Sequence, residues 1–237
     1  MDRGTYMYTI EANIGAGKTT FLRLIQERLP EVAVVFEPLQ SWQSKVYGQS
    51  ILSNFYQDPH RWAYTMETLA MACRVQQHLK EQDNPNPFRI MERSIYSGHY
   101  VFALNGYQSG FLSELEWQIY LQWFSFLITD RARAPQGMIY LKTDPQVAYD
   151  RIIKRDREAE KTISFDYIQQ IHESHENFLV KKKDLLPDLQ QVPILVLDCN
   201  EEFETNPERF EQHAAEIAAF IQLGRSKSKN APSISLS

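Results

Sequence analysis

Two glycines followed by a lysine and two threonines form the first stretch of this chain that could carry out chemistry. Gly15, Gly17 and Lys18 lie between an apolar run at 6–10 and a stretch with the apolar spacing of a helix. Backbone N–H groups of such a loop, with the positive end of the following helix, attract an anion. The lysine places a charge near the β- and γ-phosphates of a nucleotide, and the Thr19 hydroxyl holds Mg²⁺. The stretch therefore predicts a nucleoside triphosphate site.

The residues predicted to bind this triphosphate are Asn13, Ile14, Gly15, Ala16, Gly17, Lys18, Thr19 and Thr20. One position departs from the full pattern of a phosphate loop, which has glycine where this chain has Ala12. The extra methyl group is a modest strain if φ at that residue is negative. The alternative is a glycine-lined turn before an ordinary helix, but the order of strand, loop and helix favours the phosphate loop.

Three carboxylates at the ends of predicted strands could take part in phosphoryl transfer. Glu37 ends the second strand, and Glu92 ends the third, just before Arg93. Ligands of open α/β sheets lie beyond these carboxyl ends. Glu37 suits the base that accepts the proton of an attacking hydroxyl, with Arg93 holding it, and Glu92 suits a role in positioning Mg²⁺. Asp198 is an alternative candidate for the Mg²⁺ ligand, because the sequence at 194–198 is similar to the strand that carries a magnesium-binding aspartate in phosphate-loop proteins.

A basic helix is predicted from Pro145 to about Arg157, and it carries Arg151, Lys154 and Arg155 as well. These cations could clamp a phosphate, or pair with the acidic residues mixed among them on an exposed face. A lone strand-end glutamate is likewise more often a surface or capping group. The occurrence of all these residues together with the phosphate loop favours the catalytic interpretation.

Five predicted strands alternate with helices along the chain. The strands are 6–10, 32–36, 88–91, 137–141 and 194–197, and the later helices are 44–57, 61–81, 115–128, 145–157, 164–184 and 207–222. This alternation predicts an α/β fold with a doubly wound parallel sheet and a helical lid. The all-apolar second strand favours cover on both faces. We expect one domain at 1–223, a lid at about 151–162 and a disordered tail at 224–237.

Composition limits the class of protein. The chain has 237 residues and a formal net charge of −5, which argues against a nucleic-acid polymer as the main partner. Two cysteines far apart in sequence favour a reduced, intracellular protein. No apolar run reaches the length of a membrane span, and the first strand leaves little room for a leader. We therefore expect a cytoplasmic protein with no membrane partner.

Missing motifs narrow the possible phosphate-loop classes. The D-x-x-G and N-K-x-D strings of a GTPase do not occur, and neither does the L-S-G-G-Q-like signature of a transporter ATPase. A kinase that acts on a small molecule remains. The helix at 115–128 is apolar around much of its girth, which predicts burial in the core or against a second subunit.

Several short strings recur in one order along the chain. They are 13–19, Glu37–Pro38 followed by Trp42, 55–59 with Trp62, 92–97, 171–176 and 197–203. Together they resemble the deoxynucleoside kinase family, which includes deoxycytidine, deoxyguanosine and mitochondrial-type thymidine kinases and the insect multisubstrate enzyme. The resemblance covers the chain from Ile10 to about Phe203. It implies a five-stranded parallel sheet in the order 2-3-1-4-5 and a homodimer formed through helices; the 115–128 helix suits that interface, although core burial explains it equally well.

The resemblance also implies a reaction and its residues. ATP, or another triphosphate, would give its γ-phosphoryl group to the 5′-hydroxyl of a deoxynucleoside. Glu37 would be the general base with Arg93 beside it, and Thr19 and Glu92 would serve Mg²⁺. Other roles would fall to Arg151, Arg155 and Arg157 on the lid, to Glu160 and Tyr56 at the 3′-hydroxyl, and to Asn200, Glu202 and Phe203 beside the donor's base. Because Asn200, Glu202 and Phe203 would then lie beside the donor's base, the neighbouring Asp198 becomes a weaker candidate for the Mg²⁺ ligand.

The base site departs from the family pattern. By resemblance it would hold Trp42, Met66, Glu67, Ala70, Arg74, Gly98 and Phe102. Glu67 stands where the family has glutamine, and an ionised carboxylate only accepts hydrogen bonds, so it would repel thymine O4 unless it is protonated. Gly98 stands where relatives have aspartate or alanine, so Arg74 could pair with Glu67 instead. We expect Glu67→Gln to change the preference among bases.

Two other functions remain open from the residues alone. A nucleoside monophosphate kinase, such as a thymidylate kinase, needs arginines near an acceptor phosphate rather than a carboxylate poised for a neutral hydroxyl. A non-catalytic nucleotide-sensing module would use the aromatic helix at 115–128 to bind its partner. Parallel assays with nucleoside and nucleoside monophosphate separate the two enzymes, and Glu37→Gln separates either enzyme from the sensor.

Overall fold

A five-stranded sheet forms the centre of the fold, and all of its strand pairs are parallel. The computed structural model describes residues 6–37, 50–84, 88–203 and 206–226. The strands are β1 (Tyr6–Ala12), β2 (Ala33–Val35), β3 (Phe88–Glu92), β4 (Gly137–Lys142) and β5 (Ile194–Asp198). Their spatial order is β2-β3-β1-β4-β5, which confirms both the predicted fold class and the order that the resemblance implied.

Helices connect the strands and cover both faces of the sheet. They are α1 (Lys18–Arg28), α2 (Ile51–Gln57), α3 (Pro59–Gln82), α4 (Ile95–Ser97), α5 (Leu104–Gln108), α6 (Glu114–Ile128), α7 (Pro145–Arg155), α8 (Phe165–His175), α9 (Pro187–Gln190) and α10 (Pro207–Ser226). A π-helical turn, Gly98–Ala103, joins α4 to α5, and another, Glu176–Val180, extends α8. A short 3-10 turn, Glu158–Glu160, follows α7.

Side-chain caps explain where several helices begin. The Ser113 and Glu116 side chains bond each other's backbone N–H groups in a capping box at the start of α6. Ser164 caps α8 as predicted, through a bond from the Tyr167 N–H. The Asp58 side chain accepts a bond from the Arg61 N–H, and Pro59 occupies the first turn of α3.

Two predicted helices end earlier than expected. The helix expected to reach about residue 184 ends at Val180, because Lys182 and Asp184 have φ of 49° and 52°. The helix expected to reach Arg157 ends at Arg155, because Asp156 has φ of 47°. L-residues in a helix need negative φ, so these left-handed residues stop the helix. The described part of the helix expected at 44–57 begins at Ile51, and 44–49 lie outside the described residues.

The sheet separates two apolar cores. Side chains alternate along β4, so that Met138 and Tyr140 pack in one core while Ile139 and Leu141 pack in the other. The seven residues of β1 are all buried, because this strand lies at the centre of the sheet. β2 is an edge strand of three partly buried residues, so its two faces are less completely covered than those of β1.

Helix α6 has two apolar faces. Trp117, Tyr120 and Phe124 are buried in one of the two cores. On the opposite side Leu115 and Phe126 are 70% and 55% exposed in the single chain. None of the helices in the described ranges is long and apolar enough to cross a membrane.

Ile139→Ala tests how far the central strands support the fold. Ile139 is fully buried on β4, so the substitution leaves a cavity and should lower the free energy of unfolding by about 2–5 kcal/mol. The matched control is Val196→Ala on β5, where the side chain is 45% exposed and the loss should stay below about 1 kcal/mol. Urea unfolding followed by circular dichroism measures both, and equal losses would contradict the assignment of the core.

Candidate functional site

The loop between β1 and α1 forms one wall of a cleft at the carboxyl edge of the sheet. Gly15 and Gly17 have φ of 81° and 84°, a conformation that favours glycine. A Cβ atom on Gly15 would lie 2.2 Å from the Ala148 carbonyl oxygen, so α7 packs directly on the loop. Ala12 is buried as the last residue of β1, where the backbone is extended, and a methyl group there causes no strain.

Lys18 points back along its own loop. Its Nζ donates hydrogen bonds to the carbonyl oxygens of Asn13, at 3.0 Å, and Ala12, at 3.4 Å. Burial, together with the nearby Arg93, lowers the pKa of Lys18 to about 7. An anion bound in the loop would oppose this effect, because a negative charge stabilises the protonated amine.

The ends of β2 and β3 meet this loop through Glu92. The Thr19 hydroxyl donates a hydrogen bond of 2.8 Å to Glu92 Oε1, and the backbone N–H of Glu37 donates one of 3.2 Å to Oε2. A hydroxyl and a carboxylate are the hard oxygen ligands that Mg²⁺ prefers. The described residues contain no cluster of three or more His, Cys, Asp or Glu side chains suited to a metal. This donor set suits a cation that keeps most of its water and contacts a nucleotide phosphate.

The carboxylate of Glu37 lies between two arginines. Arg74 donates to Glu37 Oε1 from Nη2 at 2.6 Å and from Nε at 3.0 Å, and Arg93 Nε lies 3.4 Å from Oε2. The Glu37 side chain is only 5% exposed. Burial alone would raise the pKa of Glu37, but the charges of Arg74 and Arg93 outweigh it and hold the pKa below its usual value. Glu37 is therefore an anion at neutral pH.

Arg93 is held in place by its backbone and by its side chain. It has φ of 64°, and its N–H donates to the Ile10 carbonyl oxygen at 2.9 Å, which ties the end of β3 to β1. Its Nη1 donates to the Ala12 carbonyl oxygen at 3.0 Å, and its guanidinium lies 4.6 Å from the centre of the Phe102 ring. A non-glycine residue at positive φ is costly and often marks a functional site.

Beyond Glu37 the cleft becomes more apolar. Its wall there consists of Leu52, Phe55, Tyr56, Met66, Glu67, Ala70, Arg74, Phe102 and Tyr167. Glu67 is 6% exposed, and burial raises its pKa to about 7, against the opposing charges of Arg74 and Arg93. The apolar and aromatic side chains that form most of this wall suit an aromatic ligand with a few polar groups.

The turn after α7 closes one side of the cleft. Arg155 Nη2 lies 2.6 Å from Glu160 Oε2, and Arg157 Nη1 lies 3.6 Å from Glu160 Oε1. The Glu160 side chain is 7% exposed and close enough to raise the pKa of Tyr56, whose own burial is the larger cause. Both arginines, the glutamate and the tyrosine line the same cleft as the phosphate loop.

Arg151 lies apart from this cleft, on the other side of the phosphate loop. Its guanidinium donates to the carbonyl oxygens of Cys199, Asn200 and Glu201 at 2.9–3.0 Å. It lines a second, adjoining depression with Gly15, Gly17, Thr20, Lys154, Arg155, Glu202 and Phe203. Arg151 therefore braces the loop after β5.

Most of the residues predicted from the sequence meet in these two depressions. The Asn13 side chain points away and donates to the Ile168 carbonyl oxygen, Ala16 is buried in the core, and Asn200 accepts a bond from the Asp144 N–H. Asp198 bonds Asn200 and is not on the cleft wall. Trp42 lies outside the described residues.

Gly98 is not on the wall itself, but it lies against Arg74. A Cβ atom at this position would come within 2.8 Å of Arg74 Nη1. The sequence suggested that Arg74 pairs with Glu67; in the structure two short hydrogen bonds of its guanidinium go to Glu37 instead, and none of the described residues donates a hydrogen bond to Glu67.

Sequence reasoning missed three wall residues, Leu52, Phe55 and Tyr167. Leu52 and Phe55 share a face of α2 with Tyr56, and their spacing of three and four residues could have indicated it. Tyr167 carries no comparable signal, because only the packing of α8 against α2 brings it to the cleft.

Comparisons with known proteins point to one family. The sequence model of a family described as deoxynucleoside kinase matches residues 8–222. Deoxycytidine kinase 2 of Gallus gallus is 36% identical, over 90% of this chain and 89% of its own. Mitochondrial deoxyguanosine kinase of Xenopus laevis is 33% identical, over 90% and 88%, and mitochondrial thymidine kinase 2 of Homo sapiens is 34% identical, over 88% and 76%.

Gly15→Ala should abolish tight triphosphate binding. The added Cβ atom would overlap the Ala148 carbonyl oxygen at a residue whose φ is +81°, so the loop and α7 must separate. We expect the dissociation constant for ATP, measured by calorimetry, to rise more than about tenfold. The control is Gly110→Ala, which has a similar φ of +74° but no atom within 4 Å. Normal ATP binding by Gly15→Ala would show that the loop is not the phosphate site.

Proposed function

The chain belongs to the deoxynucleoside kinase family, and we propose that Glu37 is the general base of its reaction. The enzyme transfers the γ-phosphoryl group of ATP to the 5′-hydroxyl of a deoxynucleoside, which yields the 5′-monophosphate. The observation that supports the role of Glu37 is its position. One cleft contains the phosphate-loop residues Lys18 and Thr19 and, next to them, a buried carboxylate that two arginines hold as an anion.

The triphosphate would lie against the loop at 13–19. Backbone N–H groups and the start of α1 would surround its β-phosphate, and Lys18 would leave the carbonyl oxygens of Ala12 and Asn13 to contact the β- and γ-phosphates. Thr19 and Glu92 would hold Mg²⁺, which neutralises phosphate charge when bound. Arg155 and Arg157 would close over the phosphates from the lid.

Glu37 would receive the proton of the 5′-hydroxyl. The transition state of phosphoryl transfer is loose, so a weakly basic carboxylate is sufficient if it is correctly placed. Arg74 and Arg93 provide that placement by fixing both carboxylate oxygens. The low pKa keeps Glu37 ready to accept a proton over the neutral range.

The remaining wall would position the nucleoside. Tyr56 and Glu160 would hold the 3′-hydroxyl, and Phe102 would lie against one face of the base. Met66, Glu67, Ala70, Arg74 and Gly98 would surround its edge, with Trp42 on the other face. On the donor side Arg151, Asn200, Glu202 and Phe203 would border the base of the triphosphate. The buried, mostly apolar wall of the cleft supports these assignments.

The family and the site both favour a nucleoside over a nucleoside monophosphate as acceptor. An acceptor phosphate would meet the Glu37 carboxylate, and the two arginines nearest to it are already engaged by that carboxylate. Supplying nucleoside and nucleoside monophosphate in parallel with labelled ATP tests this. Phosphorylation of the monophosphate alone would contradict the assignment.

For the assembly we propose a homodimer formed through α6. Leu115, Trp123 and Phe126 are exposed on one face of that helix, at 70%, 49% and 55%. Exposed apolar side chains that cluster on one helix face are typical of a subunit interface.

For the compartment we propose the cytoplasm, and two unpaired cysteines support this proposal. Cell fractionation tests it, because two of the relatives are named as mitochondrial.

Glu37→Gln should separate catalysis from binding. The amide keeps the shape of the side chain but cannot accept the hydroxyl proton, so kcat should fall by about 10²- to 10⁴-fold. ATP binding, measured by calorimetry, should change little. Glu173→Gln, an exposed substitution on α8, is the control and should keep full activity. Unchanged kcat in Glu37→Gln would remove Glu37 as the base and favour a nucleotide-sensing role.

Trp123→Glu should break the proposed dimer. A charge in the centre of the exposed face of α6 must be desolvated when two subunits pack there, so sedimentation should show the mass of one chain instead of two. Val180→Glu, which replaces another half-exposed apolar residue far from α6 in sequence, is the control and should leave the mass unchanged. A wild-type protein that sediments as a monomer would contradict the proposal.

A further inference from the structure

At the nucleoside end of the cleft the carboxylates of Glu37 and Glu67 lie near two guanidinium groups, which make unequal contacts with them. Arg74 and Arg93 both contact Glu37, at 2.6 and 3.4 Å. Across the described parts of the chain, no group donates a hydrogen bond to Glu67, although its side chain is buried on α3 about two turns before Arg74. A buried carboxylate without donors is unstable as an anion. It therefore tends to bind a proton.

We propose that Glu67 contacts the nucleoside base as a neutral carboxylic acid, and that its ionisation changes which bases the enzyme accepts. This inference rests on the proposed function, because it requires that the cleft binds a nucleoside. It concerns a residue that the family pattern does not explain, since glutamine is expected at this position.

The surroundings of Glu67 support the neutral form. The charged and titratable groups that face it are Arg74 on α3, Glu37 after β2, Arg93 after β3, Tyr56 on α2, Tyr120 on α6 and Tyr167 on α8. Three of the six are phenols that stay neutral, since burial raises the pKa of each tyrosine. Burial of Glu67 and repulsion from Glu37 outweigh the two arginines and raise its pKa to about 7.

The two forms of Glu67 present different patterns to a base. A neutral carboxylic acid has one donor and one acceptor, as a glutamine amide does, whereas the anion has acceptors only. Thymine offers the O4 acceptor beside the N3–H donor, so it matches the neutral acid. Guanine offers O6 beside N1–H, which matches the neutral acid, and it also offers the N1–H and amino donors side by side, which match the anion, so of these two bases guanine alone is accepted by both forms. A mismatched pair leaves buried polar groups without partners, which is costly.

The ratio of kcat/KM for thymidine to that for deoxyguanosine, measured from pH 6 to 8.5, tests the inference. Ionisations that affect catalysis with both nucleosides, or ATP binding, cancel in this ratio. We expect the ratio to be constant in acid and to fall towards tenfold per pH unit above about pH 7, because only the neutral acid accepts thymine. If one nucleoside is not a substrate, its competitive inhibition constant replaces kcat/KM.

Glu67→Gln is the matched control, because the amide keeps a donor and an acceptor but cannot ionise. Its ratio should not depend on pH and should resemble the acid limit of the wild-type enzyme. Glu67→Asp keeps an ionisable group and should retain a pH-dependent ratio. The same pH dependence in Glu67→Gln as in the wild type would assign the ionisation to another group and overturn the inference.

Proton exchange on binding provides a second measurement that needs no turnover. Calorimetry in two buffers of different ionisation enthalpy counts the protons taken up or released by wild-type protein. At about pH 8 thymidine should bind with the uptake of close to one proton, whereas deoxyguanosine, which the anion also accepts, should bind with little or none. Glu67→Gln should show no difference between the nucleosides. Equal proton counts in the wild-type protein would overturn the inference even if a variant fails to fold.

The outcomes separate this inference from the proposed function. A protein that phosphorylates deoxynucleosides with a ratio independent of pH retains the function and loses the inference. A protein that phosphorylates no deoxynucleoside at any pH loses the function, and the inference with it.

Discussion

A single buried carboxylate, Glu37, connects parts of the fold that are far apart in sequence. Arg74 reaches it from the long helix α3, Arg93 reaches it from the end of β3, and Glu92 binds its backbone N–H. Through Thr19, Glu92 also contacts the phosphate loop. Because these contacts come from α3, from the end of β3 and, through Glu92, from the phosphate loop, several elements at the carboxyl edge of the sheet set the distance between the loop and the carboxylate. Catalytic groups fixed in this way lose little entropy when substrates bind.

Parts of the fold could be predicted from local patterns because the physics there is local. The phosphate loop combines glycines at positive φ with a lysine at a helix start, and a Ser or Asp cap marks several helix starts. The predicted helix ends were less accurate than the helix starts. Asp156, Lys182 and Asp184 adopt left-handed conformations that their residue types permit but do not require. The position of β2 at the edge depends on the order of strands, which no single stretch encodes and which only the resemblance supplied.

The site was predictable to the extent that its residues follow strand ends. Glu37, Glu92 and Arg93 met there because parallel strands end at one edge of a sheet. The partner of Arg74 was not predictable, because Glu37 and Glu67 are both within its reach and only the folded geometry ranks them. Tyr167 was missed for a similar reason: the packing of α8 against α2 brings it to the cleft.

Gly98 decides where the charge of Arg74 acts. With no side chain at this position, the guanidinium occupies the space that a Cβ atom would need, and it contacts Glu37, the proposed general base. An acidic side chain there would compete with Glu37 for the same cation and draw it towards the base. If Glu37 is the base and this wall binds the nucleobase, as proposed, one glycine couples turnover to breadth of substrate, and lineages that diverge at this position should change both properties in a single evolutionary step.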